Sequence, residues 1–202
     1  MFLLESLLLG FAIGLSGALA PGPTLLATIS GAARHGPLVG GRVAAGHLLV
    51  EGLLVVALVL GVAPLVLSHR AGIALVGGAA LVGFGLLTVR GARTATLAPT
   101  GSAAPVGPFF AGAITSVANP YFWLWWVTLG GALLADALAA GPANAGFYLA
   151  GHGAADLGWL LLVGAGVARG SAFLSDRNYR LLLGACGIAL VVLGAAYAAT
   201  AF

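Results

Sequence analysis

Apolar residues run through this chain in long stretches, separated by short gaps rich in glycine, proline and arginine. The stretches lie at about residues 3–33, 38–66, 71–90, 108–135, 143–168 and 179–201. A transmembrane helix needs about 20 mostly apolar residues, so each stretch is long enough to span a bilayer. Membrane β-barrels alternate apolar and polar residues instead. The pattern therefore predicts an all-α integral membrane protein with six transmembrane helices.

Composition points the same way. Of the 202 residues 61% are hydrophobic and only 6% are charged, whereas soluble domains carry about 25% charged residues. We therefore expect a lipid bilayer around most of the surface. Basic residues outnumber acidic ones 8 to 5, but they lie in the gaps between apolar stretches. They are interpreted as topology signals, and no nucleic-acid partner is predicted.

The arginines also predict an orientation. All except Arg70 lie in or beside the first, third and fifth gaps, as Arg34, Arg42, Arg90, Arg93, Arg169, Arg177 and Arg180. Because basic residues concentrate in cytoplasmic loops, these gaps are predicted to be cytoplasmic. Both termini then lie outside the cell membrane (the inner or plasma membrane), which the chain crosses several times.

A repeat divides the chain in two. Residues 1–93 form a first half, 94–107 a Thr/Ser/Gly/Pro-rich cytoplasmic linker, and 108–202 a second half within one membrane domain. Three motifs match in the same order: Pro21 with Pro120; Gly46, His47, Glu51 and Gly61 with Gly151, His152, Asp156 and Gly166; and GAALVGFG from Gly78 with GIALVVLG from Gly187. Three helices per half invert the second half in the membrane, an arrangement typical of secondary transporters.

Prolines predict breaks in the first and fourth helices. Ala20-Pro21-Gly22-Pro23-Thr24 and Asn119-Pro120 interrupt apolar stretches, and proline removes a helical hydrogen bond. Broken backbone inside a membrane needs protein or a water-filled cavity beside it. A half-helix that begins at Pro23 would direct free N–H groups into such a cavity, where they would suit a carboxylate.

Two His–acid pairs lie near the middle of apolar stretches. His47 and Glu51, like His152 and Asp156, are four residues apart, and such residues share one helix face. An ionised acid at mid-membrane costs about 2.5–3.5 kcal/mol. Either each pair only staples helices together, or both pairs border one cavity, where the acids favour a cation and the histidines carry a proton.

The chain resembles the lysine exporter (LysE) family of membrane translocators along essentially its whole length. The resemblance is carried by APGPTLLATISGAARHG from Ala20, by a glycine-acid pattern in the second helix, and by Asn119-Pro120-Tyr121. It implies a six-helix exporter of amino acids, within a wider superfamily that also moves metal ions. Glu51 stands where the family usually has Asp, and Val50 where it commonly has Gly. His47 and His152 are not general family marks.

These observations predict a secondary transporter that exports a small zwitterionic or cationic amino acid, coupled to protons, by alternating access at a mid-membrane site. The residues predicted to bind substrate or ions are Pro21, Gly22, Pro23, Thr24, His47, Glu51, Asn119, Pro120, His152 and Asp156. The alternative is a divalent metal-ion exporter with His47, Glu51, His152 and Asp156 as ligands. No enzymatic activity and no cofactor is predicted, since neither a phosphate-binding loop nor His-Glu-x-x-His occurs. A homo-oligomer is compatible with the sequence.

Overall fold

The computed structural model describes residues 2–20, 22–61, 68–95, 106–170, 175–199 and 201. The helices are, in chain order, α1 (Leu3–Ala18), α2 (Pro23–His35), α3 (Val39–Val59), α4 (Arg70–Ala92), α5 (Pro108–Val117), α6 (Pro120–Trp125), α7 (Gly131–Ala140), α8 (Pro142–Gly170) and α9 (Asp176–Ala199), with a π-helical turn (Trp126–Gly130) between α6 and α7. No strand occurs among the described residues. The prediction of an all-α protein is confirmed for this part of the chain.

Several helices are suited to a membrane. Four described segments are long and apolar enough to cross one, namely Val39–Val59, Ala74–Ala92, Pro120–Ala140 and Asp176–Ala196. The pair α1 and α2 would be a fifth span if it counts as one bent segment. These four or five spans indicate a multi-pass membrane protein, and the sixth span stays a prediction.

Two helix boundaries fall in the Pro-containing motifs. α1 ends at Ala18 and α2 begins at Pro23, with an angle of 77° between their axes. α5 ends at Val117 and α6 begins at Pro120. Proline suits the first position of a helix, because its missing N–H would have no helical partner there. Pro21 lies outside the described residues.

α1 and α8 cross with backbone against backbone. A Cβ atom placed on Gly10 would lie 2.0 Å from the carbonyl oxygen of Tyr148. A Cβ atom on Gly151 would lie 2.1 Å from that of Leu7. Small residues allow membrane helices to approach this closely, and here only glycine fits.

α3 and α5 cross in the same way. A Cβ atom on Gly46 would lie 1.9 Å from the carbonyl oxygen of Phe109, and one on Gly112 would lie 2.0 Å from that of Val43. The glycine that precedes His47 in the sequence therefore holds α3 against α5. Its counterpart Gly151 precedes His152 and holds α8 against α1.

α4 and α9 pack on each other along much of their length. A Cβ atom on Gly78 would lie 2.6 Å from the carbonyl oxygen of Gly194, and one on Gly85 would lie 2.6 Å from that of Gly187. Backbone approach at two places along both helices fixes how this pair sits.

Candidate functional site

α3 and α8 bring the two His–acid pairs together. Each pair occupies consecutive turns of its own helix, and the helices approach closely between them. The side chain of Leu48 lies 3.4 Å from the position that a Cβ atom of Gly153 would take. The residues next to His47 and His152 in the sequence are therefore in contact.

The four polar side chains form a ring in which imidazoles and carboxylates alternate; we call it the His–acid ring. The distances are 3.4 Å from His47 Nε2 to Glu51 Oε2, 3.5 Å from His47 Nε2 to Asp156 Oδ2, 3.3 Å from His152 Nε2 to Glu51 Oε2, and 3.2 Å from His152 Nε2 to Asp156 Oδ2. Each carboxylate therefore faces both histidines, and the contacts between helices are as short as those within one helix.

Three of the four ring residues are buried, and the side chain of His47 is 14% exposed. Glu51 is 5% exposed, and His152 and Asp156 are each 4% exposed. The interacting oxygens of the two acids have ion-pair distances to the imidazoles but no well-aligned hydrogen bond. Buried charges need partners, and among the described residues two imidazoles face the two carboxylates. Neutral imidazoles do not balance two carboxylates, so the ring favours positive charge, from protons on the imidazoles, an ammonium group or a metal ion.

The two histidines differ at their second ring nitrogen. Nδ1 of His47 lies 2.7 Å from the hydroxyl of Ser116 on α5. That hydroxyl donates to the carbonyl oxygen of Gly112 at 2.7 Å, so it accepts from an N–H at Nδ1 of His47. Nδ1 of His152 has no hydrogen-bond partner among the described residues, and a Cβ atom on Gly14 would lie 2.7 Å from it.

Aromatic rings enclose the imidazoles. The ring of Phe122 meets that of His47 edge to face, with centroids 5.3 Å apart. The rings of Trp125 and Trp126 each lie 4.8 Å from that of His152. Apolar walls strengthen the electrostatic interactions of the ring because they exclude water.

A cavity of about 390 Å³ opens beside the ring. Its described lining comes from both halves of the chain: Gly17, Ala18, Ala20, Gly22, Thr24, Leu25, His47, Leu81, Asn119, Tyr121, Phe122, Trp125, Trp126, His152, Asp156, Trp159, Leu160 and Ala196. Its size lies at the lower end of the 300–1,000 Å³ typical of small-molecule sites. It can hold one small ligand next to the carboxylate of Asp156.

Six of the ten predicted site residues line this cavity. They are Gly22, Thr24, His47, Asn119, His152 and Asp156. Glu51 does not line the cavity but contacts both histidines. Pro23 and Pro120 are buried outside its lining, and Pro21 lies outside the described residues.

The starts of α2 and α6 lie side by side at the cavity. A Cβ atom on Gly22 would lie 3.5 Å from the amide nitrogen of Asn119. Thr24 on α2 hydrogen-bonds through its hydroxyl to that of Thr115 at 3.1 Å. The Asn119 side chain accepts from the backbone N–H of Tyr121 at 3.1 Å and so caps α6. The two Pro-containing motifs are neighbours in space.

Two residues at the site were missed by sequence reasoning. Ser116 gives no clear signal in the sequence, because a serine in an apolar helix commonly bonds to its own backbone, as Ser116 also does. Trp159 lies alone in an apolar stretch. Its position three residues after Asp156, on the same helix face, was the available signal.

Ionisable side chains that pack around a cavity between membrane-spanning helices are typical of membrane transporters. Sequence comparison gives the same class. The model of the LysE type translocator family matches residues 15–200, and the chain belongs to this family, which confirms the resemblance. No curated protein and no solved structure matches the chain at a significant level. The protein is therefore a membrane exporter with a small-molecule substrate.

Proposed function

We propose that the protein is a secondary transporter that exports a small zwitterionic or cationic amino acid in exchange for protons, by alternating access at the cavity beside the His–acid ring. One observation carries the proposal: four titratable side chains from α3 and α8, three of them buried, meet in one ring, with each imidazole 3.2–3.5 Å from both carboxylates. Three of them line a cavity of ligand size.

The cavity offers a place for each charged group of an amino acid. Asp156 provides a carboxylate for the ammonium group, supported by Glu51 behind it. The start of α2 provides a place for the carboxylate group, since Gly22, Thr24 and Leu25 also line the cavity. The first N–H groups of a helix have no helical acceptor, so they suit the substrate carboxylate.

Proton exchange fits both the energetics and the ring. Moving one positive charge outward against a membrane potential costs about 2.3 kcal/mol per 100 mV. A proton that moves inward offsets this cost. Imidazole is the side chain that ordinarily gains or loses a proton near neutral pH, and His47 and His152 are placed where a substrate ammonium would compete with protons for the same two carboxylates.

We further propose that the two halves are an inverted repeat in the cell membrane, with six spans, breaks in the first and fourth, and both termini outside. The contact between α4 and α9 supports this. Gly78 corresponds in sequence to Gly187, and Gly85 to Gly194. Gly78 contacts Gly194 while Gly85 contacts Gly187, which is the reciprocal pattern of a two-fold axis.

The crossings α1–α8 and α3–α5 support the same axis in a different register. Gly46 and Val43 correspond to Gly151 and Tyr148. Gly112 contacts Val43 and Gly10 contacts Tyr148, so these contacts make Gly112 the counterpart of Gly10. This correspondence is shifted by three residues from the one that matches Pro21 with Pro120. The first half accordingly has three more residues between its crossing and its break.

A divalent metal ion as cargo is the second candidate. Ligand atoms of His47, Glu51 and Asp156 all lie within 4.8 Å of one another, and His152 contacts both acids. Imidazole and carboxylate ligands suit zinc and neighbouring transition ions. The aromatic cavity next to the ring favours an organic substrate over a bare ion.

Efflux from proteoliposomes loaded on the inside tests the two candidates. Vesicles contain an amino-acid mixture or a divalent metal series, and an imposed proton gradient drives exchange. We expect amino-acid efflux that collapses with the gradient and that is lost in Glu51→Gln and Asp156→Asn. Efflux of a metal ion without any amino acid would replace the proposal by the second candidate.

A further inference from the structure

The cavity has two chemically different walls. One wall, here called the aromatic wall, consists of Tyr121, Phe122, Trp125, Trp126 and Trp159. A second group of lining residues, here called the α2 wall, lies at the start of α2 and comprises Gly22, Thr24 and Leu25. Every member of the aromatic wall belongs to the second half of the chain, and the α2 wall belongs to the first.

The fold does not demand this difference. Pro21 corresponds to Pro120, so Leu26 on α2 corresponds to Trp125 on α6. Leu26 is buried in a core cluster and does not line the cavity, whereas Trp125 lines it. An aliphatic residue is accommodated at one position and a large aromatic one at its counterpart.

The aromatic wall adjoins the His–acid ring. Trp126 packs on His152, and Trp159 follows Asp156 by one helical turn. The indole N–H of Trp159 is buried and has no hydrogen-bond partner among the described residues. None of the described residues that line the cavity is an arginine. A ligand there meets one carboxylate, two imidazoles, the uncharged polar side chains of Thr24, Asn119 and Tyr121, and aromatic faces.

We propose that the exported amino acid has a large apolar side chain, aromatic or branched, which lies against the aromatic wall while its ammonium group faces Asp156. This inference rests on the proposed function and narrows its substrate class. A second ammonium group at the aromatic wall would lose its hydration without a carboxylate partner. A hydroxylated side chain would leave the aromatic faces uncovered.

Equilibrium binding to the full-length protein in lipid nanodiscs tests the inference. The probes are radiolabelled L-phenylalanine, L-leucine, L-threonine and L-lysine. Burying a side chain of this size against apolar surface strengthens binding by about 10- to 100-fold. We therefore expect phenylalanine and leucine to bind at least about tenfold more tightly than threonine or lysine.

Substitutions in the aromatic wall test whether these residues bind the side chain of the ligand. Trp159→Leu should weaken phenylalanine binding by about 2- to 10-fold, the contribution of an aromatic pair beyond its area, and should change leucine binding less. Trp123→Leu is the matched control, because Trp123 does not line the cavity and its N–H donates to the carbonyl of Val117 at 2.9 Å. If Trp159→Leu fails to fold, Tyr121→Leu at a 39% exposed position takes its place.

The outcomes separate the inference from the proposed function. Threonine or lysine binding as tight as that of phenylalanine overturns the inference and leaves amino-acid export standing. Equal losses in the Trp159 and Trp123 variants also overturn it. Binding of Zn²⁺ with no amino acid bound at all overturns the proposed function itself.

Discussion

Oε2 of Glu51 on α3 lies 3.3 Å from Nε2 of His152 on α8, slightly closer than the 3.4 Å to Nε2 of its own helical neighbour His47. The two pairs that recur in the sequence are thus one unit in the fold. A substitution at either acid alters the charge interactions of both imidazoles. A ligand that enters the ring contacts groups from both helices.

Neutralising one acid should stop transport without unfolding the protein. Glu51→Gln and Asp156→Asn keep the side-chain shape but remove a charge. We expect at least about tenfold slower efflux, because a hydrogen bond to a charged group contributes about 1.5–3 kcal/mol. Efflux and the thermal midpoint are measured on the same preparation, and the midpoint should change little because losing a buried charge lowers the desolvation cost.

Asp136→Asn is the control for this experiment. Asp136 lies on α7, is exposed, and stands outside the ring and the cavity. Parent-like efflux in the control and in both ring variants would make the acids structural staples only.

Replacing either histidine should change how efflux depends on pH. Imidazoles are the groups of the ring that ordinarily exchange protons near neutral pH. Efflux at pH 5.5 to 8.5 in about half-unit steps should therefore give different profiles for the parent, His47→Ala and His152→Ala. His35→Ala, at an exposed position that ends α2, should follow the parent. Superimposable profiles for all four proteins would exclude the histidines from proton exchange.

Ser116→Ala should slow efflux moderately. The substitution removes the group that accepts from Nδ1 of His47, and such a hydrogen bond contributes about 0.5–1.5 kcal/mol, or about a 2- to 10-fold change. Ser16→Ala removes an exposed hydroxyl that bonds only to the carbonyl of Ile13 and should have no effect. A Ser116 variant as fast as this control would show that orientation of His47 does not limit transport.

Gly46→Ala should destabilise the protein, because its methyl group would lie 1.9 Å from the carbonyl oxygen of Phe109. Overpacking of this kind costs about 1–3 kcal/mol or more. Gly52→Ala on the same helix meets no atom within 4 Å and should be neutral or stabilising, since alanine favours helix by about 1 kcal/mol over glycine. Thermal unfolding in detergent compares the two, and equal midpoints would contradict the close crossing.

Cysteine labelling tests the proposed orientation. In a Cys186→Ser background, Thr94→Cys and Ala140→Cys place a single thiol at exposed positions near the third and fourth gaps. A membrane-impermeant maleimide applied to intact cells should label Ala140→Cys, and should label Thr94→Cys only after the membrane is opened. The reverse result would place both termini in the cytoplasm.

Helix content could be predicted from the sequence because long apolar runs leave few alternatives. The observed bounds of α8 lie close to the predicted stretch 143–168, and α3 begins near the predicted residue 38 but ends at Val59 rather than at 66. The i, i+4 spacing also placed His47 with Glu51 on one helix face. It could not place His152 beside Glu51, because a contact between helices depends on how they cross.

Other parts of the site depended on packing that spacing does not encode. Ser116 reaches His47 only because Gly112 lets α5 approach α3 closely. The match of Pro21 with Pro120 could not give the correspondence between residues of α1 and α5. The contacts of Gly10 and Gly112 pair these two glycines, and that pairing is shifted by three residues from the match of the prolines. Trp125 and Trp126 contact His152 and line the cavity, whereas Trp123 does not line it, and spacing along α6 does not encode this difference.

The glycine crossings limit which parts of the protein can move. One crossing fastens α1 of the first half to α8 of the second, and the other fastens α5 of the second half to α3 of the first. A rigid-body motion of one half relative to the other would separate the helices at both crossings and expose their backbone to lipid. The four helices in these crossings form a shared frame, and the alternating access proposed above would have to use helices outside it, among them α2, α6 and the α4–α9 pair.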